Sequence, residues 1–318
     1  DEDKQNRQRF ASIHFCCAAI LRARQNTLNV RAKQGRAAME NVSRRDVMVA
    51  MTAAGMLHAV PAFAANPVIP QATLDARKNA PIIPKKVNKL YNLKPAVDQP
   101  NDMQFAPNGE LWILDQKDPN TVFTIDPKSG NVLSSVVTES IHGSGITYGD
   151  NAWFITSTKV ITGNPSTLKV DPKTGKTLKK WETPGFGIYG AYLTRERKPG
   201  ELPLESGGHG VKWAGNGQYW LATPAGGKLY LINAEAGTVA RSIQAPTIRT
   251  HGIALEGDHI WCVGSDEAEI YKLQKSDGAI VAKIVLDKVN DPSLHGLDIK
   301  DGVLWYCDAN KGWICNLT

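Results

Sequence analysis

Residues 249–264 read RTHGIALEGDHIWCVG. A His-Gly pair is followed by an apolar run, a polar turn and then Trp261, ten residues after His251. The same order recurs in IHGSGITYGDNAWFIT around His142, GHGVKWAGNGQYWLAT around His209 and LHGLDIKDGVLWYCD around His295. Steps between the four histidines are 67, 42 and 44 residues. The spacings from each histidine to Trp153, Trp220, Trp261 and Trp305 are 11, 11, 10 and 10. Short apolar runs parted by polar turns every ten or so residues are the pattern of antiparallel β-structure.

The second half of each unit repeats as well. FTIDPKSGNVLSSV, LKVDPKTGKTLKKW, YLINAEAGTVARSI and YKLQKSDGAIVAKI each carry a strand into a turn and a strand out of it. The turns end on Gly130, Gly175, Gly237 and Gly278, where glycine takes a positive φ without steric cost. Each unit therefore holds four strands, the content of one propeller blade. A further copy, PNDMQFAPNGELWILDQ, precedes the first His-Gly pair, with Asn101 in the histidine position 41 residues before His142. The units number five.

The last unit stops at WICNLT, its third strand, and KKVNKLYNL (85–93) has the pattern of the missing fourth. Borrowing that strand closes the ring and removes open sheet edges. Residues 85–318, less an insert of roughly 25, give five units of about 42 residues, within the range of a blade. The predicted fold is an all-β propeller of five four-stranded blades. The insert, Gly185–Gly208, is too short for a blade and reads as a long loop, a candidate lid, substrate wall or solvated surface.

The chain has a formal net charge of +6. Residues 1–64 hold ten Lys/Arg and five Asp/Glu, leaving 27 basic and 26 acidic residues for the rest. The basic excess belongs mainly to the leader, so nothing in the body favours a nucleic-acid partner. SRRDVMV (43–49) is a twin-arginine pair, followed by an Ala/Met-rich apolar run and by small residues at Ala62 and Ala64 that suit signal-peptidase cleavage. That run is short for a membrane span and is broken by His58 and Pro61, so no stable span is expected after cleavage. Residues 1–38 read as an upstream segment without a folded role, 39–64 as the signal peptide, 65–84 as a linker and 85–318 as the propeller. Periplasmic or secreted localisation through the bacterial twin-arginine export machinery follows. After the leader only Cys262, Cys307 and Cys315 remain. A Cys307–Cys315 bridge is open to them, and buried free thiols are the simpler reading.

Equivalent first-strand positions in a propeller form a ring around the axis. His142, His209, His251 and His295 should therefore face one point, with Asn101 or Asp102 completing the circle. Of five histidines after Ala64, four fall at this repeat position. Neutral imidazole is a ligand for Zn, Fe, Mn or Ni, so one divalent transition metal of open identity is the expected cofactor. A purely structural ring is the alternative. The tryptophans recur inside the sheets and should pack between blades. Arg249 and Lys212 are candidates to hold a substrate carboxylate, and Asp298 is a candidate base or partner of a ligand. Tyr189 and Tyr192, on the insert, are candidate substrate contacts. His251, His295, Asp298 and Arg249 form the expected catalytic set.

The units HGIALEGDHIWCVGSDEAEIYKLQKSDG and HGLDIKDGVLWYCDANKGWICNL resemble repeats of the streptogramin (virginiamycin B) lyases and the wider gluconolactonase/NHL-type propellers. The resemblance covers roughly 85–318 and implies a divalent metal near the axis with lyase or hydrolase chemistry. The lyases carry a Glu close before one His-Gly pair and have seven blades. Here Ser140, Gly207, Arg249 and Ser293 stand two residues before the pairs, and five blades are counted. The expected function is a metal-dependent lyase or hydrolase acting on a small lactone- or ester-like substrate. A four-histidine iron oxygenase and a non-enzymatic propeller binding a ligand or protein are the alternatives.

Overall fold

The computed structural model describes residues 69–188, 190, 193 and 196–318. The upstream segment, the signal peptide, Tyr189 and Tyr192 lie outside the described residues.

The turn glycines return the chain on itself five times, with φ between 69° and 81° at Gly130, Gly175, Gly237, Gly278 and Gly312. Blade 1 comprises β2 (Pro100–Phe105), β3 (Leu111–Asp115), β4 (Thr121–Ile125) and β5 (Val132–Val137). Blade 2 comprises β6 (Gly143–Gly149), β7 (Ala152–Ser157), β8 (Ser166–Val170) and β9 (Thr177–Glu182). Blade 3 comprises β10 (Val211–Gly215), β11 (Gln218–Thr223), β12 (Lys228–Asn233) and β13 (Val239–Gln244). Blade 4 comprises β14 (Thr250–Glu256), β15 (His259–Gly264), β16 (Glu269–Gln274) and β17 (Ile280–Val285). Blade 5 runs β18 (Leu297–Lys300), β19 (Val303–Cys307) and β20 (Trp313–Leu317), and its outermost strand is β1 (Val87–Asn92). β1 pairs antiparallel with β20, from Val87 opposite Leu317 to Asn92 opposite Trp313. The expected five-bladed ring closed by an N-terminal strand is thus the fold.

The core is five clusters, one at each blade-to-blade interface, rather than one central mass. Between blades 1 and 2 Leu114 and Val122 meet Ile146 and Trp153. Phe154 meets Tyr219 and Leu221 between blades 2 and 3. Trp220 and Leu229 meet Ile253 and Tyr271 between blades 3 and 4. Between blades 4 and 5 Trp261 and Ile270 meet Leu304 and Tyr306. Met103 and Ile113 meet Ile314 and Cys307 at the closing interface, where Trp305 lies edge-on to Phe105 at 5.2 Å. The tryptophans therefore pack between blades, where a flat ring fills the wedge between two twisted sheets and contributes a few kcal/mol each by burial. Cys262, Cys307 and Cys315 are free thiols inside these clusters.

The stretch read as a linker carries structure. Helix α1 (Gln71–Asn79) is followed by a parallel bridge from Ile82 to Lys283 on β17. Arg77 fixes the helix, donating to Tyr271 Oη at 3.0 Å and to Glu267 at 2.9 Å. The chain crosses from blade 4 to blade 5 this way before it becomes β1. No helix among the described residues is long and apolar enough to cross a membrane.

Candidate functional site

Inner-strand pairing breaks near the start of three blades. The register slips between Pro100 and Asp102 in β2, between Gly143 and Gly145 in β6, and between Thr250 and Ile253 in β14. Such bulges re-aim side chains. Just past this point the blades come together at the axis. A Cβ on Gly210 would lie 2.3 Å from His251 O, one on Gly252 2.5 Å from His295 O, and one on Gly145 1.9 Å from His209 O. No side chain fits there, which is why the sequence carries His-Gly pairs.

Those contacts make Gly145 the equivalent of Gly210, Gly252 and Gly296. The ring residues are those just before them: Ser144, His209, His251 and His295, with Asn101 before Asp102. Blade 2 therefore differs from the expected register by two residues. His142 precedes the ring position and sits in the loop leading into β6. The aromatic side of the repeat shifts too. Trp112, Trp220, Trp261 and Trp305 stand opposite Gln104, Lys212, Ala254 and Asp298, whereas Phe154 takes that place in blade 2, opposite Thr147.

All four histidines nevertheless line one cavity of about 700 Å³, with Gln116, Arg249, Ser265 and Asn310. Gly190 of the insert borders it as well. His142 reaches it with a left-handed backbone, φ 55°. A non-glycine residue held there costs on the order of 1 kcal/mol, and such strain gathers at functional sites. The other three rings touch in sequence, His209 edge-on to His251 with centroids 4.6 Å apart and His251 tilted against His295 at 4.2 Å.

The imidazoles are held neutral. Burial pushes His142 and His295 down to about 4 and drives His209 and His251 well below the ordinary histidine range. Positive charge on Lys159, near His142, and on Arg249, near the other three, acts in the same direction. His295 Nδ1 lies 2.8 Å from Asn101 O. A carbonyl only accepts, so Nδ1 carries the proton and Nε2 keeps its lone pair. His251 Nδ1 shares a 2.7 Å hydrogen bond with Ser265 Oγ, and His209 Nε2 a 3.3 Å one with Ser206 Oγ.

Donor type and protonation state suit a transition metal, and so does the 4.6 Å spacing of His209 and His251, while the 4.2 Å between His251 and His295 is tighter than rings sharing one ion show. Imidazoles sharing one ion, each at about 2.0–2.1 Å, have ring centres roughly 4.5–5 Å apart. Convergence is the missing part: among the described residues no three His, Cys, Asp or Glu side chains are gathered into a ligating set.

Arg249 stands at the rim, exposed and paired with Asp266 at 2.9 Å. Lys212 and Asp298 do not line the cavity. Lys212 is buried on the axis, donating to Met103 O and Ile146 O, and Asp298 accepts from Phe105 N and Gln104 Nε2. The base of the insert is fixed by paired backbone hydrogen bonds between Gly187 and Ser206, and by Lys159 Nζ donating to the carbonyls of Pro203, Leu204 and Glu205. Ser265 and Gln116 also line the cavity, though neither belongs to the His-Gly repeat. Both follow the end of a second strand, in WCVGS and WILDQ, and that shared place was a usable signal.

No family model and no curated protein matches this chain. Among solved structures, Myxococcus xanthus glutaminyl cyclase superposes with a TM-score of 0.54 at 10% identity, over 74% of this chain and 97% of that one. That likeness is one of fold. A streptogramin B lyase gives 0.44 at 18% identity, over 74% of this chain and 97% of that one. Staphylococcus aureus virginiamycin B lyase, as a catalytically inactive variant with quinupristin, gives 0.42 at 18% identity, over 69% of this chain and 66% of that one. Streptogramin lyases, the family that the repeats resemble, are thus among the solved structures found.

Proposed function

We propose that the chain is an exported enzyme, periplasmic or secreted, that acts as a lyase or hydrolase on a small organic substrate in the histidine-lined cavity, with one divalent transition metal (Zn, Fe, Mn or Ni). The observation that supports this reading is that four imidazoles, held neutral by burial, line one cavity. Neutrality is the state a metal requires of a histidine ligand, and burial secures it without any proton release at neutral pH. A bound divalent ion would supply a Lewis acid that polarises a carbonyl oxygen or activates water.

His209, His251 and His295 are the residues that would hold it, with His142 turning in from its loop. Asn101 O fixes the tautomer of His295, and Ser265 orients His251. Arg249 can exchange Asp266 for a substrate carboxylate, which it would bind with two parallel hydrogen bonds. At a pKa of about 4, His142 is too weak a base to store a proton near neutrality. It suits hydrogen bonding to a substrate oxygen instead. The unconverged donor set favours a second reading, a metal-free cavity that binds a small ligand through imidazole, amide and hydroxyl groups.

The full chain, loaded in turn with each metal, is assayed against small lactones and esters with and without a carboxylate. Turnover of a carboxylate-bearing member is expected, lost in His251→Ala. Arg249→Gln should raise KM about tenfold with kcat little changed. His142→Gly adopts the left-handed conformation freely, so it should keep stability within about 1 kcal/mol of the parent while losing turnover. Ligand binding without turnover under every metal would replace this reading with the second.

A further inference from the structure

Beyond the histidine ring, the inner strands place charge on the propeller axis. Asp102 takes the position that is glycine in the other four blades. Its carboxylate is fully buried and accepts from Ile146 N at 3.0 Å and Leu297 N at 3.2 Å, reaching blades 2 and 5. Lys212, from blade 3, is almost as buried. Its Nζ donates to Met103 O at 2.5 Å and Ile146 O at 3.1 Å, and lies 3.8 Å from Asp102 Oδ2. Asp298, from blade 5, accepts from Phe105 N at 2.6 Å and from Gln104 Nε2 at 3.2 Å. Gln104 Oε1 in turn accepts from Thr147 Oγ1 at 3.0 Å. One buried network thus joins β2, β6, β10 and β18.

We infer that Lys212 is a built-in cation, whose ammonium occupies an oxygen cage on the axis and acts as a positioning residue for the histidine ring. The cage draws its oxygens from two other blades, with Met103 O and Asp102 from blade 1 and Ile146 O from blade 2. These are groups that a bound metal ion would also take. Burial raises Asp102, to about 6, and Asp298, and the charge on Lys212 pulls both back down. The geometry explains why a flexible, strongly hydrated side chain is tolerated there. Removing the ammonium leaves two buried carboxylates without a counter-charge, and breaking a buried pair costs far more than the pair contributes. The strands so tied carry Asn101, Ser144, His209 and His295 at or just before their N-terminal ends. The network therefore sets where the ring residues stand, whatever the ring binds.

The test uses the metal-free full chain, so its outcome is independent of the proposed enzyme activity. Lys212→Met keeps the side-chain volume and should lower Tm by about 10 °C. The triple variant Lys212→Met, Asp102→Asn, Asp298→Asn should recover at least half of that loss. Lys212→Ala should be rescued by n-propylammonium and not by tetramethylammonium at equal ionic strength. Imidazole proton resonances of His209 and His295 should shift in Lys212→Met and return toward the parent in the triple variant. A Lys212→Met melt close to the parent's with unmoved resonances would overturn the inference. So would a triple variant that melts no higher than Lys212→Met.

Discussion

Deleting Val87–Asn92 should abolish the cooperative unfolding transition of the whole ring, not trim one edge of it. β1 is the fourth strand of blade 5 and joins the two ends of the propeller. Without it, β20 presents an unpaired edge along Trp313–Leu317. Val87 packs on the cluster between blades 4 and 5, and Tyr91 on the cluster between blades 5 and 1, beside Leu93 and Val97. Both flanks of the last blade are loosened together. Loss of this apolar burial and of a full strand ladder is on the order of 5 kcal/mol, a large share of the stability of a typical domain. A circular dichroism melt should show a broad, weak transition, with dye binding to exposed apolar surface at about 25 °C. A sharp transition within a few degrees of the parent would mean that closure by β1 is dispensable.

Acid should unfold the metal-free chain well before its carboxylates are titrated in bulk. The sign follows from the shifts. Four histidines have folded-state pKa values below their unfolded value of about 6.5. Their neutral burial is fully accommodated above that pH. As pH falls toward 4, the unfolded chain binds protons that the folded chain refuses, and stability drops. Asp102 and Asp298 act in the opposite sense. Their raised values let the folded state bind protons first, so they favour folding as pH falls, Asp102 between roughly 6 and 4. Four groups against two leave the histidines dominant. The denaturation midpoint in urea should fall steeply from about pH 6.5 to about pH 4, with a net uptake of about two protons on unfolding. His295→Gln should flatten that slope. A midpoint independent of pH over this range would show that the histidines are solvated and free to ionise.

The blades are legible in the sequence because each repeats a strand-turn-strand pattern whose glycines have a backbone reason. The closing strand is legible because a four-strand unit that stops at three demands a partner. Blade 2 departs from the alignment for a physical cause. IHGSG offers two glycines, Gly143 and Gly145, and spacing alone selects the one after a histidine. Only the approach to His209 O, which leaves no room for a Cβ at Gly145, identifies the true axial position. Lys212 and Asp298 resemble site residues in the sequence because they lie near the His-Gly pairs. Hydrogen bonds to neighbouring blades hold them buried away from the cavity instead, and those cross-blade contacts are invisible in any one repeat. The cavity's polar lining, Ser265 and Gln116 included, comes from strand ends and loops, where the repeat carries little information.

The most direct test of the metal reading is the metal content of the full chain purified from an exporting host without chelator. Inductively coupled plasma mass spectrometry on the parent and on a His251→Ala, His295→Ala double variant gives it. Close to one divalent transition metal per chain is expected in the parent and about one-tenth of that or less in the variant, since two ligands are lost. A parent with no stoichiometric metal, or a variant that retains it, would contradict the account.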